Sequence, residues 1–261
     1  MSVDAILRER IREYYTGYYR DTLGIADWST LVARREDEES GEAPQFARLR
    51  DLLAPAGVSG PLLNVGCGTG GFDVVAASAG VPVVGVDADA GAIGICALKR
   101  RKLGAGSGAF VRSLAEALPF RDGAFGVVYC FSAIEHVESV ARTVSEMVRV
   151  TRPGGVIYLH TPNAWSWYEG HYKLFWAPFL PEPAGRLYLR LRRRPTGYLR
   201  TLRRLTPSQL TREFRRHGVT EFRFFDDDKP RESAGRAWSV LKHYYRATGF
   251  APFIELVARK A

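Results

Sequence analysis

Three groups of residues in this 261-residue chain have types and spacing suited to chemistry. The first is a glycine loop, Gly66-Cys67-Gly68-Thr69-Gly70-Gly71, which follows the apolar run Leu62-Leu63-Asn64-Val65. Glycines there permit a positive φ and let a ligand approach the N-terminus of a following helix. The second is Asp87, 21 residues after Gly66 at the end of the next apolar run. A carboxylate so placed accepts hydrogen bonds from both ribose hydroxyls of an adenosine group. The third is a set of histidines suited to accept a proton: His136 beside Glu135, His160, and His171 in the aromatic segment Trp165–Tyr172. Gly66-x-Gly68-x-x-Gly71 also satisfies a dinucleotide fingerprint, which keeps NAD open at this point. The cysteines, Cys67, Cys96 and Cys130, are too scattered for a disulfide framework or a zinc site, and no ligand spacing for a metal is visible.

These residues need a scaffold that presents them along one edge. Short runs rich in Val and Ile, bounded by Gly or Pro, predict strands over 61–66, 81–87, 109–112, 126–131 and 155–160. Helical stretches alternate with them. Val140, Val144, Met147 and Val148 share one helical face, and that helix stops at Arg152-Pro153-Gly154-Gly155. Such alternation predicts a parallel sheet with right-handed crossovers. Thr206-Pro207-Ser208-Gln209 has the pattern of a capping box with Pro at the first helical position, opening a helix with Leu210 and Phe214 four apart. Two last strands are expected over 218–225 and 252–258. The expected fold is α/β: a doubly wound, mostly parallel, seven-stranded Rossmann-like sheet with a helical N-terminal segment and a helical cap insertion. Residues 1–58 read as a helical lid with Ile6, Ile11, Tyr14, Tyr15, Tyr18 and Tyr19 in an amphipathic pattern. The core spans 59–162, the cap 163–205, and residues 206–261 complete the core.

The segments LNVGCGTGGF, VVGVDAD, AEALPFRDGAFGVVYCFSAIEHV and RVTRPGGVIYLHTPN follow in the order and spacing of class I S-adenosylmethionine-dependent methyltransferases. The chain resembles that family strongly over 61–163 and more loosely over 206–261. Within it, the chain is similar to the small bacterial group that includes the quinone-biosynthesis C-methyltransferases. The resemblance implies S-adenosylmethionine as cofactor, makes NAD a minor alternative, and requires no metal. It implies that Gly66, Gly68 and Gly70, with Asn64 and Cys67, approach the methionine part. Asp87 would hold the ribose, Ala88 would flank the adenine, Leu114 and Ala115 would line its pocket, and Cys130 would lie near the reactive methyl. Glu135-His136-Val137 would face the cofactor cleft, so Glu135, His136 and the cap residue His171 are the candidate catalytic groups. His160 ends a strand and reads as a buried, hydrogen-bonded residue. Three positions depart from the family pattern: Asn64 replaces the acid usual before the first glycine, Leu114 the acid usual at the adenine edge, and Gly126 the Asp usual before the fourth strand. Glu116 or backbone groups would then serve the adenine amine.

The formal net charge of +9 is local. Eleven arginines and one acid, Glu213, lie between Arg186 and Arg216, so that stretch carries +10 and the rest of the chain −1. Leu187, Tyr188 and Leu191 are expected on one helical face with Arg186, Arg190 and Arg193 on another. Tyr198, Leu202 and Leu205 against Arg200, Arg203 and Arg204 repeat the arrangement. Basic amphipathic segments suit an anionic membrane surface, a phosphate-bearing acceptor or plain solvent. Nucleic acid ranks lower, because the usual DNA-methyltransferase motifs are missing. No apolar run approaches the ~20 residues that span a bilayer, and Asp4, Arg8, Glu9 and Arg10 leave no signal-peptide core. A cytoplasmic protein, peripheral to the inner membrane at most, is expected. Three functions remain: methyl transfer to a hydroxyl of a small or lipid- or glycan-linked metabolite, C-methylation of a quinone-like acceptor, and cofactor binding without turnover as a regulatory or scaffold protein.

Overall fold

The computed structural model describes residues 3–54, 57–103, 108–178, 180–225, 248 and 251–261. Its centre is a seven-stranded sheet in the order β3-β2-β1-β4-β5-β9-β8, with β1 Leu62–Val65, β2 Val83–Asp87, β3 Ala109–Arg112, β4 Phe125–Phe131, β5 Thr151–Pro162, β8 Glu221–Phe225 and β9 Phe253–Arg259. The first five pair in parallel, while β9 runs antiparallel between β5 and β8. The mostly parallel, doubly wound sheet expected from the sequence is therefore the observed one. The main difference is that β5 starts at Thr151, ahead of the Pro153-Gly154 turn signal. Gly154 takes φ +73 there, and the β4–β5 register shifts between Phe125 and Val127.

Strand alternation decides which side chains meet which layer. Val128 and Cys130 of β4 face α6 (Val140–Val150) and α8 (Pro207–Arg216), where Val144, Met147, Leu210 and Phe214 are fully buried. Val127 and Tyr129 face the other way, onto α3 (Glu38–Leu53) and α4 (Gly71–Ser78) through Phe46, Leu49, Phe72 and Ala76. The capping box at Thr206 forms as expected: its hydroxyl accepts from the Gln209 amide and the Gln209 side chain accepts from the Thr206 amide.

A third core lies at the end of the sheet where the parallel strands finish. Leu7, Ile11 and Tyr15 of α1 (Val3–Thr16), and Tyr19 in the π-helical turn Gly17–Thr22 that continues it, pack with Tyr172, Leu174, Trp176, Leu189 and Leu199 of the insertion. The N-terminal segment and the insertion thus share one hydrophobic core. The insertion itself consists of a short hairpin (β6 Tyr168–Glu169, β7 Leu174–Phe175), α7 (Glu182–Leu191) and a 3-10 turn, Tyr198–Thr201.

The expected faces of α7 are corrected by this packing. The buried stripe is Gly185 and Leu189, four apart, because Gly185 comes so close to Trp176 that an added Cβ would sit 2.8 Å from its ring. Leu187 and Leu191, expected to pack, are 58% and 74% exposed and share the outer surface with Arg190. Beyond the helix, Leu199 and Leu205 are buried, and Tyr198 and Leu202, expected on the apolar face, are half-buried against the same core as Leu199.

Candidate functional site

β1 delivers the chain into the glycine loop at the carboxyl edge of the sheet, and α4 departs from it. Gly66, Gly68 and Gly70 adopt φ +76, +54 and +78, which other residues rarely do. Their surroundings separate their roles. A Cβ at Gly66 would fall 2.2 Å from the Ala133 Cβ, and one at Gly70 2.8 Å from the Phe110 ring, whereas one at Gly68 meets nothing within 4 Å. Gly66 and Gly70 therefore permit close packing, and Gly68 presents open backbone. Asp87 reaches back from the end of β2 to accept from the Gly68 amide at 2.8 Å and from the Asp89 amide at 2.9 Å. Burial raises the Asp87 pKa, against the lowering effect of these amides.

The loop borders a cleft of about 990 Å3 that runs from Asp87 and Ala88 past Cys130 to His136, His171 and Tyr198. Of the predicted cofactor residues, Asn64, Gly66, Cys67, Gly68, Asp87, Ala88, Leu114, Ala115 and Cys130 line it, and Gly70 does not. His136 and His171 line its far end, and Glu135 sits behind them, facing a smaller pocket on the cap side. His160 is buried away from the cleft, stacked between Phe131 and Phe253 at 4.1 and 4.8 Å, as expected. The N-terminal tyrosines are site residues that sequence reasoning placed only in a helical pattern. Tyr14, Tyr15, Tyr18 and Tyr19 all line the cleft, the Tyr15 hydroxyl meets Thr69 Oγ1 at 2.9 Å, and Tyr18 meets the Tyr198 hydroxyl at 2.9 Å. Their spacing of three and four along a helix was the available signal.

The far end of the cleft is a compact polar cluster. His171 Nδ1 hydrogen-bonds Glu169 Oε1 at 2.8 Å. A carboxylate there keeps the proton on Nδ1 and leaves Nε2 as an acceptor. Burial lowers the His171 pKa, but the Glu169 hydrogen bond and the Glu169 and Glu135 charges outweigh it, for a net rise. His136 goes the other way, down to about 4, through burial and the charge of His171. Glu135 is pushed up to about 7 by burial, although Thr161 Oγ1 donates to its Oε2 at 2.9 Å. The absence of visible metal-ligand spacing in the sequence has a structural counterpart: Glu135, His136 and His171, from two segments 35 residues apart, come together with donor atoms all within 4.8 Å.

Comparison with known proteins places this geometry. Residues 63–159 match the family described as "Methyltransferase domain". An "uncharacterized methyltransferase" of Mycolicibacterium gilvum is 39% identical over 98 residues, covering 38% of this chain and 37% of the relative. A ubiquinone biosynthesis O-methyltransferase of Aromatoleum aromaticum is 30% identical over 148 residues, covering 55% and 63%. The chain thus spans about a third to two thirds of the length of the curated relatives it matches. A putative methyltransferase of Haloferax volcanii, solved with the Trm112 activator, has the same fold at a TM-score of 0.55 and 16% identity, over 86% of this chain and 94% of that one. Residues 63–159 of this chain thus match a methyltransferase domain, on a fold shared with solved methyltransferases.

The departures from the methyltransferase pattern acquire physical reasons. Asn64 Nδ2 donates to Asp73 Oδ2 at 2.7 Å, so a carboxylate from the first turn of α4 sits beside the position where the methyltransferase acid is usual. Gly126 is required because a Cβ there would lie 2.1 Å from the Ser59 carbonyl oxygen. Leu114 is exposed at the cleft. Glu116 does not substitute freely for the missing acid, since its Oε1 already accepts from the Glu138 and Ser139 amides at 2.7 and 3.0 Å.

Two predictions arise here. Asp87→Ala is expected to weaken S-adenosylhomocysteine binding at least tenfold, about 1.4 kcal/mol or more, read by calorimetry; unchanged affinity would mean the ribose lies elsewhere. Asp73 is fully enclosed, its Oδ1 has no hydrogen-bond partner among the described residues, and burial lifts its pKa to about 7 despite the Asn64 hydrogen bond. Because the folded pKa lies above the unfolded one, its contribution to stability is present at acid pH and is lost as pH rises through about 7. Asp73→Asn should therefore flatten the fall in melting temperature of the cofactor-free protein between pH 4 and 7, an effect on the order of 4 kcal/mol at full linkage. Parallel pH profiles for the two proteins would refute it.

Proposed function

We propose that the chain is an S-adenosylmethionine-dependent methyltransferase acting on a hydroxyl of a small or lipid-linked acceptor. One observation supports this most: a single cleft joins the glycine loop and Asp87 to the Glu169–His171 pair. The residues present suit the cofactor, with open backbone at Gly68, a ribose-competent carboxylate at Asp87, and buried Cys130 at the end of β4. S-adenosylmethionine bound there supplies an electrophilic methyl on sulfur. The chain's part is to hold the acceptor oxygen in line with the S–CH3 bond, worth up to ~7–11 kcal/mol, and to take the hydroxyl proton at the His136–His171 end. The O–CH3 bond forms as the CH3–S bond breaks, and its electron pair stays on sulfur.

The name of the ubiquinone O-methyltransferase relative is in keeping with a phenolic or quinone-like acceptor. The test is transfer of labelled methyl from S-adenosylmethionine to metabolite and lipid extracts, with the bonding of the new methyl read by carbon NMR. A methyl on oxygen supports the proposal, a methyl on carbon favours the quinone C-methyltransferase reading, and binding without transfer leaves a regulatory or scaffold protein.

The lipid-linked reading draws on the outer surface of the cap. Phe175 is 62% exposed and stacks with Trp167, while Leu187 and Leu191 project beside Arg190, Arg192 and Arg193, all exposed. Apolar side chains among cations suit the interface of an anionic bilayer. No described helix is long and apolar enough to cross one. Reversing Arg190, Arg192 and Arg193 to Glu is expected to weaken binding to phosphatidylserine-containing vesicles at least tenfold, given about 1 kcal/mol per basic residue near the surface. Equal sedimentation with such vesicles would reassign the charge to solvent.

A further inference from the structure

We propose that Glu135, His136 and His171 form a binding site for one divalent transition cation of the Zn2+ type, at the acceptor end of the cleft. The proposal shares its cluster with the hydroxyl-transfer reading above and refines how that cluster would act. Glu135 Oε1 lies 3.7 Å from His171 Nε2 and 4.0 Å from His136 Nε2, and the three donor atoms are all within 4.8 Å of one another. Ligands bound to zinc at about 2.0–2.1 Å in a tetrahedron stand roughly 3.4 Å apart. A contraction of about half an ångström would bring Glu135 Oε1 to that spacing from each imidazole nitrogen, and side-chain rotation of His136, on the cleft surface, would set the remaining separation.

Four further features fit a cation better than a plain packing contact. The Glu135 side chain is 2% exposed, and among the described residues its Oε1 accepts no hydrogen bond. A buried carboxylate oxygen with no partner is costly, and it is the atom facing both imidazole nitrogens. Its other oxygen is fixed by Thr161 Oγ1. Glu169 holds the opposite nitrogen of His171, the carboxylate–imidazole arrangement that orients metal-ligating histidines. Among the described residues, the hydrogen-bond competitor at His136 Nε2 is the Tyr198 hydroxyl at 3.3 Å, and that hydroxyl has a closer partner in Tyr18 at 2.9 Å.

The donor set also points to the class of cation. Two imidazoles and one carboxylate suit zinc and its first-row neighbours, whereas calcium and magnesium prefer oxygen alone. Three protein ligands leave at least one position free, as in catalytic zinc sites. His136 and His171 both border the cleft, so that position opens toward the acceptor. A cation there would ease loss of the acceptor's hydroxyl proton to water, after which the oxygen attacks the methyl as described above.

The test is direct titration of Zn2+, and of Co2+ for its absorption spectrum, into tag-free chelator-treated protein, with S-adenosylhomocysteine affinity measured in parallel to report a folded core. We expect saturable 1:1 binding whose dissociation constant rises at least tenfold in both His136→Ala and His171→Ala, with S-adenosylhomocysteine affinity retained. His136 is on the cleft surface, so its variant is the safeguard if others unfold. No saturable binding of either ion, or affinity unchanged in both variants, would overturn the proposal. The two readings fail separately: methyl transfer without metal binding sinks the cation and leaves proton abstraction by imidazole, and 1:1 metal binding without methyl transfer sinks the transferase reading and leaves the site.

Discussion

His171→Ala is expected to lower the rate of methyl transfer by about 10²–10⁴-fold while S-adenosylhomocysteine still binds within a few-fold of the original affinity. The expected split between turnover and cofactor binding follows from position. His171 comes from the insertion, at the end of the cleft away from the glycine loop and Asp87, so its loss removes the group proposed to face the acceptor and leaves the glycine loop and Asp87 in place. The size follows from orientation. The ring is held by Glu169 at Nδ1, it meets His136 edge-on at 5.1 Å, and Tyr172 beside it is wholly buried in the core shared by lid and cap. Glu169 also accepts from the Tyr172 amide at 2.6 Å, which ties the carboxylate to the backbone that carries His171. Glu169→Gln should therefore give an intermediate loss, since an amide can still face the imidazole but no longer carries charge. Single-turnover rates with a responsive acceptor, set against calorimetric cofactor affinity, check the split. An unaltered rate in His171→Ala would remove the cap from the chemistry.

The second large effect is expected from a single methyl group. Gly66→Ala should destabilise the protein by about 2–4 kcal/mol, the sum of a left-handed backbone cost and of overpacking, and should lower cofactor affinity at least a hundredfold. At φ +76 the new Cβ would stand 2.2 Å from the Cβ of Ala133. Both carbons are fixed to backbone, so no rotamer change relieves the overlap, and the loop must move away from the turn that carries Ile134–His136. Gly68→Ala is the control. Its φ of +54 is equally left-handed, yet nothing lies within 4 Å of its Cβ. It should lose only the backbone cost of about 1–2 kcal/mol. Thermal unfolding of both variants distinguishes the two, and equal losses would mean that backbone conformation alone explains the glycines.

Legibility varied along the chain for identifiable reasons. The strands of the core were readable because a sheet covered on both faces needs uninterrupted apolar runs, and Ala109–Arg112 was placed to the residue. Helix α8 was readable because its cap is local chemistry at Thr206 and Gln209. The faces of α7 were not, because the residue that makes its buried stripe is Gly185, which no hydrophobicity count registers and which only the nearby Trp176 ring explains. Asp73 was passed over for a similar reason. An acid in the first turn of a helix reads as favourable to the helix dipole, and only folding reveals that it is buried against Asn64.

By itself, the sequence determined the α/β core, the strand-to-helix glycine loop, the acid at the end of β2 and the concentration of arginine after residue 186, since each depends on neighbours within a few residues or on composition. Tertiary structure alone decided that the N-terminal tyrosines and the cap form one core over the cleft, and that Glu135 and His136 meet His171 across 35 residues of chain. Those contacts arise from burial of side chains on separate elements, and no periodicity along the chain records which buried surfaces will find each other.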